Sequence, residues 1–187
     1  SLEGRPLGGP ALGFRRVPSL SLSASPMIEM EVVGVQEVLP SNVPVVLLRE
    51  SEGERLLPIF IGMPEATAIV LALAGQDPPR PMTHDLLAAV LATFSVTLEQ
   101  VVVTELRDRT FFAEAYLRGP AGVEVVSARP SDAIALAVRT GCPVFAAEEV
   151  VDEAGYLAPP TEEPAAEEQV EEFRVFLDSV DPEDFGG

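Results

Sequence analysis

Two stretches of the chain carry the same punctuation at the same spacing. Pro64 stands eleven positions before Gly75, and Pro130 stands eleven before Gly141. Proline suits the first turn of a helix, where its missing N–H has no intrahelical partner, and glycine suits the position past the last turn, where the backbone turns left-handed. Between these marks lie runs of Ala, Ile, Val and Leu, which predict two largely buried helices, 64–74 and 130–140. Three strand-like segments precede each: 28–39, 43–49 and 55–61 before the first, then 97–106, 110–118 and 123–128 before the second. The alternation is clearest in 110–118, where Phe111, Ala113, Ala115 and Leu117 share one face and Phe112, Glu114, Tyr116 and Arg118 the other. Glu50 to Glu54, with Gly53, joins the second and third segments as a hairpin. The pattern predicts an α+β fold: a mixed β-sheet built from a duplicated βββα unit, with helices packed against it.

The remaining pattern fills in around this frame. A proline-rich loop, 77–81, leads into a helix over 84–94 with Thr83 as its N-cap. A short strand, 144–147, and a short helix, 148–154, close the domain, expected to span 27–155. Residues 1–26 lack periodicity and read as a flexible leader. Residues 156–168 read as an acidic, Pro-rich linker. In 169–187, Val170, Phe173, Leu177 and Val180 recur at helical spacing, which predicts an amphipathic helix and tail docked on the body or on a second subunit. Asp181-Pro182 reads as a further helix start.

Composition narrows the function. With 187 residues, 47% of them hydrophobic, the chain can bury a sizeable core in one domain. Cys142 is the sole cysteine, so no internal disulfide forms and a reducing, cytoplasmic setting is expected. No apolar run nears the roughly 18 residues of a membrane span, and no secretory signal is recognised. The net charge is −18, concentrated towards the C-terminal end, and there is no lysine. Charge alone disfavours nucleic-acid binding, which draws on a basic surface. One histidine and one cysteine exclude a zinc cluster of nitrogen and sulfur ligands and an HD-type metal phosphohydrolase. GxxxxGK[ST], GxGxxG and GxSxG are all missing.

Three helix starts carry the chemistry that remains. Arg80-Pro81-Met82-Thr83-His84-Asp85 puts a cation, the only histidine and a carboxylate at a helix N-terminus, where exposed N–H groups favour an anion. Ala128-Arg129-Pro130-Ser131-Asp132 repeats the theme, with an arginine that can fork onto a phosphate. Gly62-Met63-Pro64-Glu65 is the equivalent junction of the first half. Each also has a plainer reading, preferred on local sequence alone: Glu65 and Asp85 as charges complementing a helix dipole, and Arg129 with Asp132 as an ion pair beside a capping Ser131. Any metal site would be mostly oxygen, which suits magnesium or manganese.

Taken in order, Leu57-Pro58-Ile59-Phe60-Ile61-Gly62, Glu65-Ala66, Arg80 to Leu86 and Ala128 to Ala137 resemble the bifunctional nuclease family of bacteria and plants, and residues 176–185 are similar to actinobacterial members. The resemblance implies an α+β fold that associates as a homodimer, and, from the plant members, cleavage of DNA and RNA. The residues matching the family's motifs are Glu65, Arg80, Thr83, His84, Asp85, Arg129, Ser131 and Asp132. Met63-Pro64 and Ser127 depart from frequent family forms, the latter where an aspartate is common. The expectation is therefore a nuclease. Arg80, Thr83, Arg129 and Ser131 would bind substrate, and His84, Asp85 and Asp132 would act in catalysis. Glu65, Asp85 and Asp132 would hold a Mg2+ or Mn2+ ion. The alternative is a non-catalytic dimeric regulatory or ligand-binding module, favoured by the negative charge and the apolar helices.

Overall fold

The computed structural model describes residues 26–157 apart from 39 and 77. The expected leader apart from Pro26, all but the first two residues of the linker, and the C-terminal helix and tail lie outside the described residues. In chain order the elements are β1 (Met27–Val38), β2 (Val43–Glu50), β3 (Arg55–Phe60), α1 (Met63–Leu73), α2 (Thr83–Thr93), β4 (Thr97–Arg107), β5 (Thr110–Gly119), β6 (Gly122–Ala128), α3 (Pro130–Thr140), β7 (Val144–Ala147), α4 (Glu148–Ala154) and β8 (Tyr156–Leu157).

The strands form one mixed sheet in the order β6-β5-β4-β7-β1-β2-β3-β8. Two antiparallel meanders, β1-β2-β3 and β4-β5-β6, flank β7, which runs antiparallel to β1 and parallel to β4. Each meander precedes one of the proline-started helices, as a duplicated unit predicts, but this order does not establish the duplication. The two halves diverge after their helices: α1 leads to α2, whereas α3 leads to β7 and α4. Tyr156 and Leu157, expected to open the linker, instead pair with Leu56 and Arg55 as β8. Pro58 sits past that short pairing, at an open edge of β3 where a missing N–H leaves no neighbour wanting. At Gly34, φ +157°, an extra residue bulges β1 against β2.

The core lies between sheet and helices. Val46, Leu48, Leu57, Val101 and Val103 from the strands meet Ile69 of α1, Ile134 of α3 and Val151 of α4, all with no side-chain exposure. Burying each such side chain contributes about 1.5–3 kcal/mol. α3 is the central helix: Ala133, Ala135 and Ala137 let it approach closely, and both α1 and α2 pack on it. Its end matches the sequence pattern, with Gly141 left-handed at φ 70°. α1 is buried on one face only; Met63, Val70 and Leu73 are exposed, so the expectation of a largely buried helix holds for α3 and not for α1. α2 is more exposed still. Only His84 is buried along it, while Leu86, Leu87, Val90 and Phe94 face outwards at spacings of one helical face.

Candidate functional site

The three helix starts singled out in the sequence meet in space. α3 begins with Arg129 extended and Pro130 in the first turn. Asp132, one turn in, turns back towards it. Arg129 donates from Nε to Asp132 Oδ2 at 2.7 Å and from Nη2 to Asp132 Oδ1 at 3.0 Å. The same Nη2 donates to Glu65 Oε1 at 2.7 Å, across from the first turn of α1. Asp132 Oδ1 also lies 3.1 Å from His84 Nε2, in the first turn of α2. One carboxylate therefore links α2 to α3, and one guanidinium links α3 to α1.

Electrostatics fixes the protonation of this group. Burial raises the proton affinity of Asp132, but hydrogen bonds from Arg129 and His84 outweigh it and hold the carboxyl below its ordinary range. Arg129 is pushed the other way, chiefly by its bonds to Asp132 and then Glu65. An ionised carboxylate only accepts, so His84 Nε2 carries the hydrogen of that contact. His84 and Ser131 are both buried.

Asp85 belongs to a neighbouring but separate pair. Its Oδ1 accepts from Arg139 Nε, and its Oδ2 accepts the backbone N–H of Met82 at 2.8 Å. Arg139 also donates to Ala135 O at 2.9 Å and is nearly buried. These bonds lower the Asp85 carboxyl, the Arg139 bond most. They also correct the expected cap of α2: Met82 is the cap position, Thr83 is already the first helical residue, and the donor is satisfied by Asp85 reaching back from within the turn. Thr83 and Arg80 are exposed, and Arg80 makes no ion pair among the described residues.

Of the three expected metal ligands, Glu65 and Asp132 share Arg129, while Asp85 is turned to Arg139. Among the described residues no three or more His, Cys, Asp or Glu side chains are arranged to hold a metal ion. Two carboxylates could offer oxygen to Mg2+ or Mn2+ only with water completing the shell and Arg129 giving way.

Beside this cluster lies a cavity of about 350 Å3. Its walls are the end of β3 from Ile59 to Gly62, the start of β5 with the turn before it (Arg109, Thr110 and Phe111), and the start of α3 from Arg129 to Ser131. That volume falls at the lower end of small-molecule sites. Gly62 comes close to Glu65: a Cβ there would collide with Oε2 of its carboxylate. Two residues here escaped the sequence reading. Arg139 is the lone cation in an apolar helix, a signal that it needed a buried partner. Arg109 sits in Asp108-Arg109, a two-residue turn without glycine between two strands. Cys142, half-buried with its thiol pushed up by burial, takes no part.

The model of the bifunctional nuclease domain matches residues 46–158. The uncharacterized proteins MT1877 and Rv1829 of Mycobacterium tuberculosis, strains CDC 1551 / Oshkosh and ATCC 25618 / H37Rv, are each 44% identical over 164 residues, which is 85% of this chain and 98% of theirs. No described helix is long and apolar enough to cross a membrane.

Proposed function

The chain belongs to the bifunctional nuclease domain family, and on that premise we propose that it hydrolyses phosphodiester bonds in DNA and RNA at the cavity beside Arg129. The observation that carries this reading is the meeting of His84, Asp132, Arg129 and Glu65, from three separate helix starts, with Arg129 itself lining that cavity. Arg129 would grip a non-bridging phosphate oxygen with Ser131 beside it, and Arg80, exposed in the loop before α2, would add a second cation. Negative charge growing on the phosphoryl oxygens as water attacks and the leaving oxygen departs would be stabilised by these guanidinium groups. Asp132 orients His84, and the imidazole is the side chain suited to relay the proton that water loses to the leaving oxygen. Asp85 serves this site by holding α2 in place.

The test is cleavage of single-stranded DNA, duplex DNA and RNA by the purified protein, with and without EDTA. His84→Ala combined with Asp132→Ala is expected to lower the rate by about a hundredfold or more, with folding checked by Tm. Undiminished cleavage by that variant would remove these residues from the chemistry. Loss of activity in EDTA would show that the reaction needs a divalent ion.

A second reading, a non-catalytic dimeric regulator or ligand-binding module, is favoured by the neutralisation of Arg129 by its own neighbours and by the exposed apolar face of α2. A homodimer built on that face is compatible with either reading. Binding of nucleotides without turnover, in protein that is pure and folded, would select the second.

A further inference from the structure

The cavity holds a cation that the proposed chemistry leaves unused. Arg109 lines it from the tip of the β4–β5 hairpin. The neighbouring Arg107 is occupied, 3.6 Å from Glu105 and stacked 4.6 Å over the ring of Phe112. Arg109 makes no ion pair among the described residues. Its backbone is also costly. Arg107 pairs with Thr110, so Asp108 and Arg109 alone make the turn, and both have positive φ, 50° and 61°. Two-residue hairpin turns of this hand favour Asn-Gly or Asp-Gly, because a side chain in the left-handed region crowds the backbone. Arginine stands where glycine would be relaxed. Strain of this kind persists where surrounding structure enforces it and concentrates at ligand sites.

The same cavity exposes aromatic surface. Phe60, at the end of β3, is 63% exposed, and Phe111, at the start of β5, is half-buried; both line the cavity. Uncommitted cations beside exposed rings are the equipment of single-strand binding: phosphates find the guanidinium, and unpaired bases stack on the ring. A duplex keeps its bases paired and cannot offer a face to Phe60, and 350 Å3 admits about one nucleotide rather than a double helix.

We propose that Arg109 and Phe60 bind the nucleotide next to the scissile phosphate, so that the site takes single strands in preference to duplex. This rests on the nuclease reading of the same cavity and deepens it. Arg109 takes the flanking phosphate and Phe60 the flanking base, while Arg129 remains with the scissile group.

The experiment compares fluorescence anisotropy of a single-stranded twelve-nucleotide DNA with phosphorothioate linkages against its duplex, in wild type, Arg109→Gly, Arg109→Lys and Phe60→Ala. Hydrolysis of bis(p-nitrophenyl) phosphate, which has no flanking nucleotide, is followed alongside. Wild type is expected to favour the single strand by about tenfold or more, since base stacking is lost in the duplex. Arg109→Gly is expected to weaken single-strand binding about tenfold and to lower the salt slope of log K by about 0.7. Its Tm should hold or rise by about 2–5 °C as the turn relaxes, a split that a structural role would not give. Arg109→Lys should restore most of the salt slope, and Phe60→Ala should lose the single-strand preference, both with a smaller effect on hydrolysis of the small diester than on binding of the oligonucleotide. If the variants bind both DNA forms as wild type does while wild type still cleaves, this inference falls and the nuclease reading stands. If wild type neither binds nor cleaves any nucleic acid, both fall together.

Discussion

At the scale of single residues, Arg129 is the centre of the site and is held on both sides. Its fork spans Asp132 in its own helix and Glu65 in another, and Glu65 is pressed close under Gly62. Gly62 has φ −80°, a conformation that alanine also adopts, so the requirement for glycine there is one of space. Gly62→Ala should push the Glu65 carboxylate off the 2.7 Å bond to Arg129 while costing the fold only about 0.5–1 kcal/mol through the poorer helix cap. The expected result is a several-fold rise in KM for oligonucleotide with a Tm within a few degrees of wild type. An unaltered KM and kcat would show that Glu65 does not position Arg129. Residue identities such as His84, Asp132 and Glu65 were legible from the sequence because each sits at a punctuated helix start. Their pairings were not, since the partners lie 48 and 64 positions apart in the chain.

At the scale of elements, α2 is held to the body as much by polar pins as by packing. Its buried contribution is His84, with Ala88 and Leu91 half-covered, and the Asp85–Arg139 pair crosses to α3. Arg139 is nearly buried, so removing its partner strands a charge in a poorly solvated place. Asp85→Asn should cost about 2–3 kcal/mol, lower Tm by roughly 10 °C, and speed amide exchange in α2 relative to α1 and α3. The cost depends on pH in a defined direction. Folded Asp85 binds its proton less tightly than the unfolded chain does, so its contribution is full above the ordinary carboxylate pKa of about 3.9 and is lost as pH falls through the lower folded value. Wild type and Asp85→Asn should therefore converge in stability in acid, and urea titrations at pH 7 and below pH 4 would measure it. A gap that stays constant across that range would mean that Asp85 acts by shape and not by charge.

At the scale of the whole molecule, the described helices carry apolar surface that no other described residue covers. Leu86, Val90 and Phe94 recur every four residues on α2, each at least 42% exposed, with Leu87 beside them. A contiguous apolar stripe of this kind favours association over solvation. Val90→Glu and Leu86→Glu should convert a dimer to a monomer in sedimentation velocity at micromolar concentration while leaving the far-ultraviolet dichroism unchanged. A wild type that sediments as a monomer at all concentrations would leave the face to another partner. The charge of −18 belongs to this scale too. An acidic protein that takes nucleic acid must do so at a local patch, and the cavity edge with Arg109 and Arg129 is where cations gather against that background.

The sequence by itself determined the elements. Proline and glycine have strong backbone preferences, and side chains alternate with periods of two or 3.6, so every helix and strand expected within the described residues is found with its ends shifted by at most one position. It also picked out the three helix starts that meet in the fold, because charge and hydroxyl groups collect there for local reasons. Only the tertiary structure decided that β7 divides the two meanders, that α2 faces outwards, that Asp85 turns to Arg139 rather than to Asp132, and that Arg109 reaches the same cavity as Arg129. Those outcomes depend on contacts between segments far apart in the chain, and no periodicity or cap carries them.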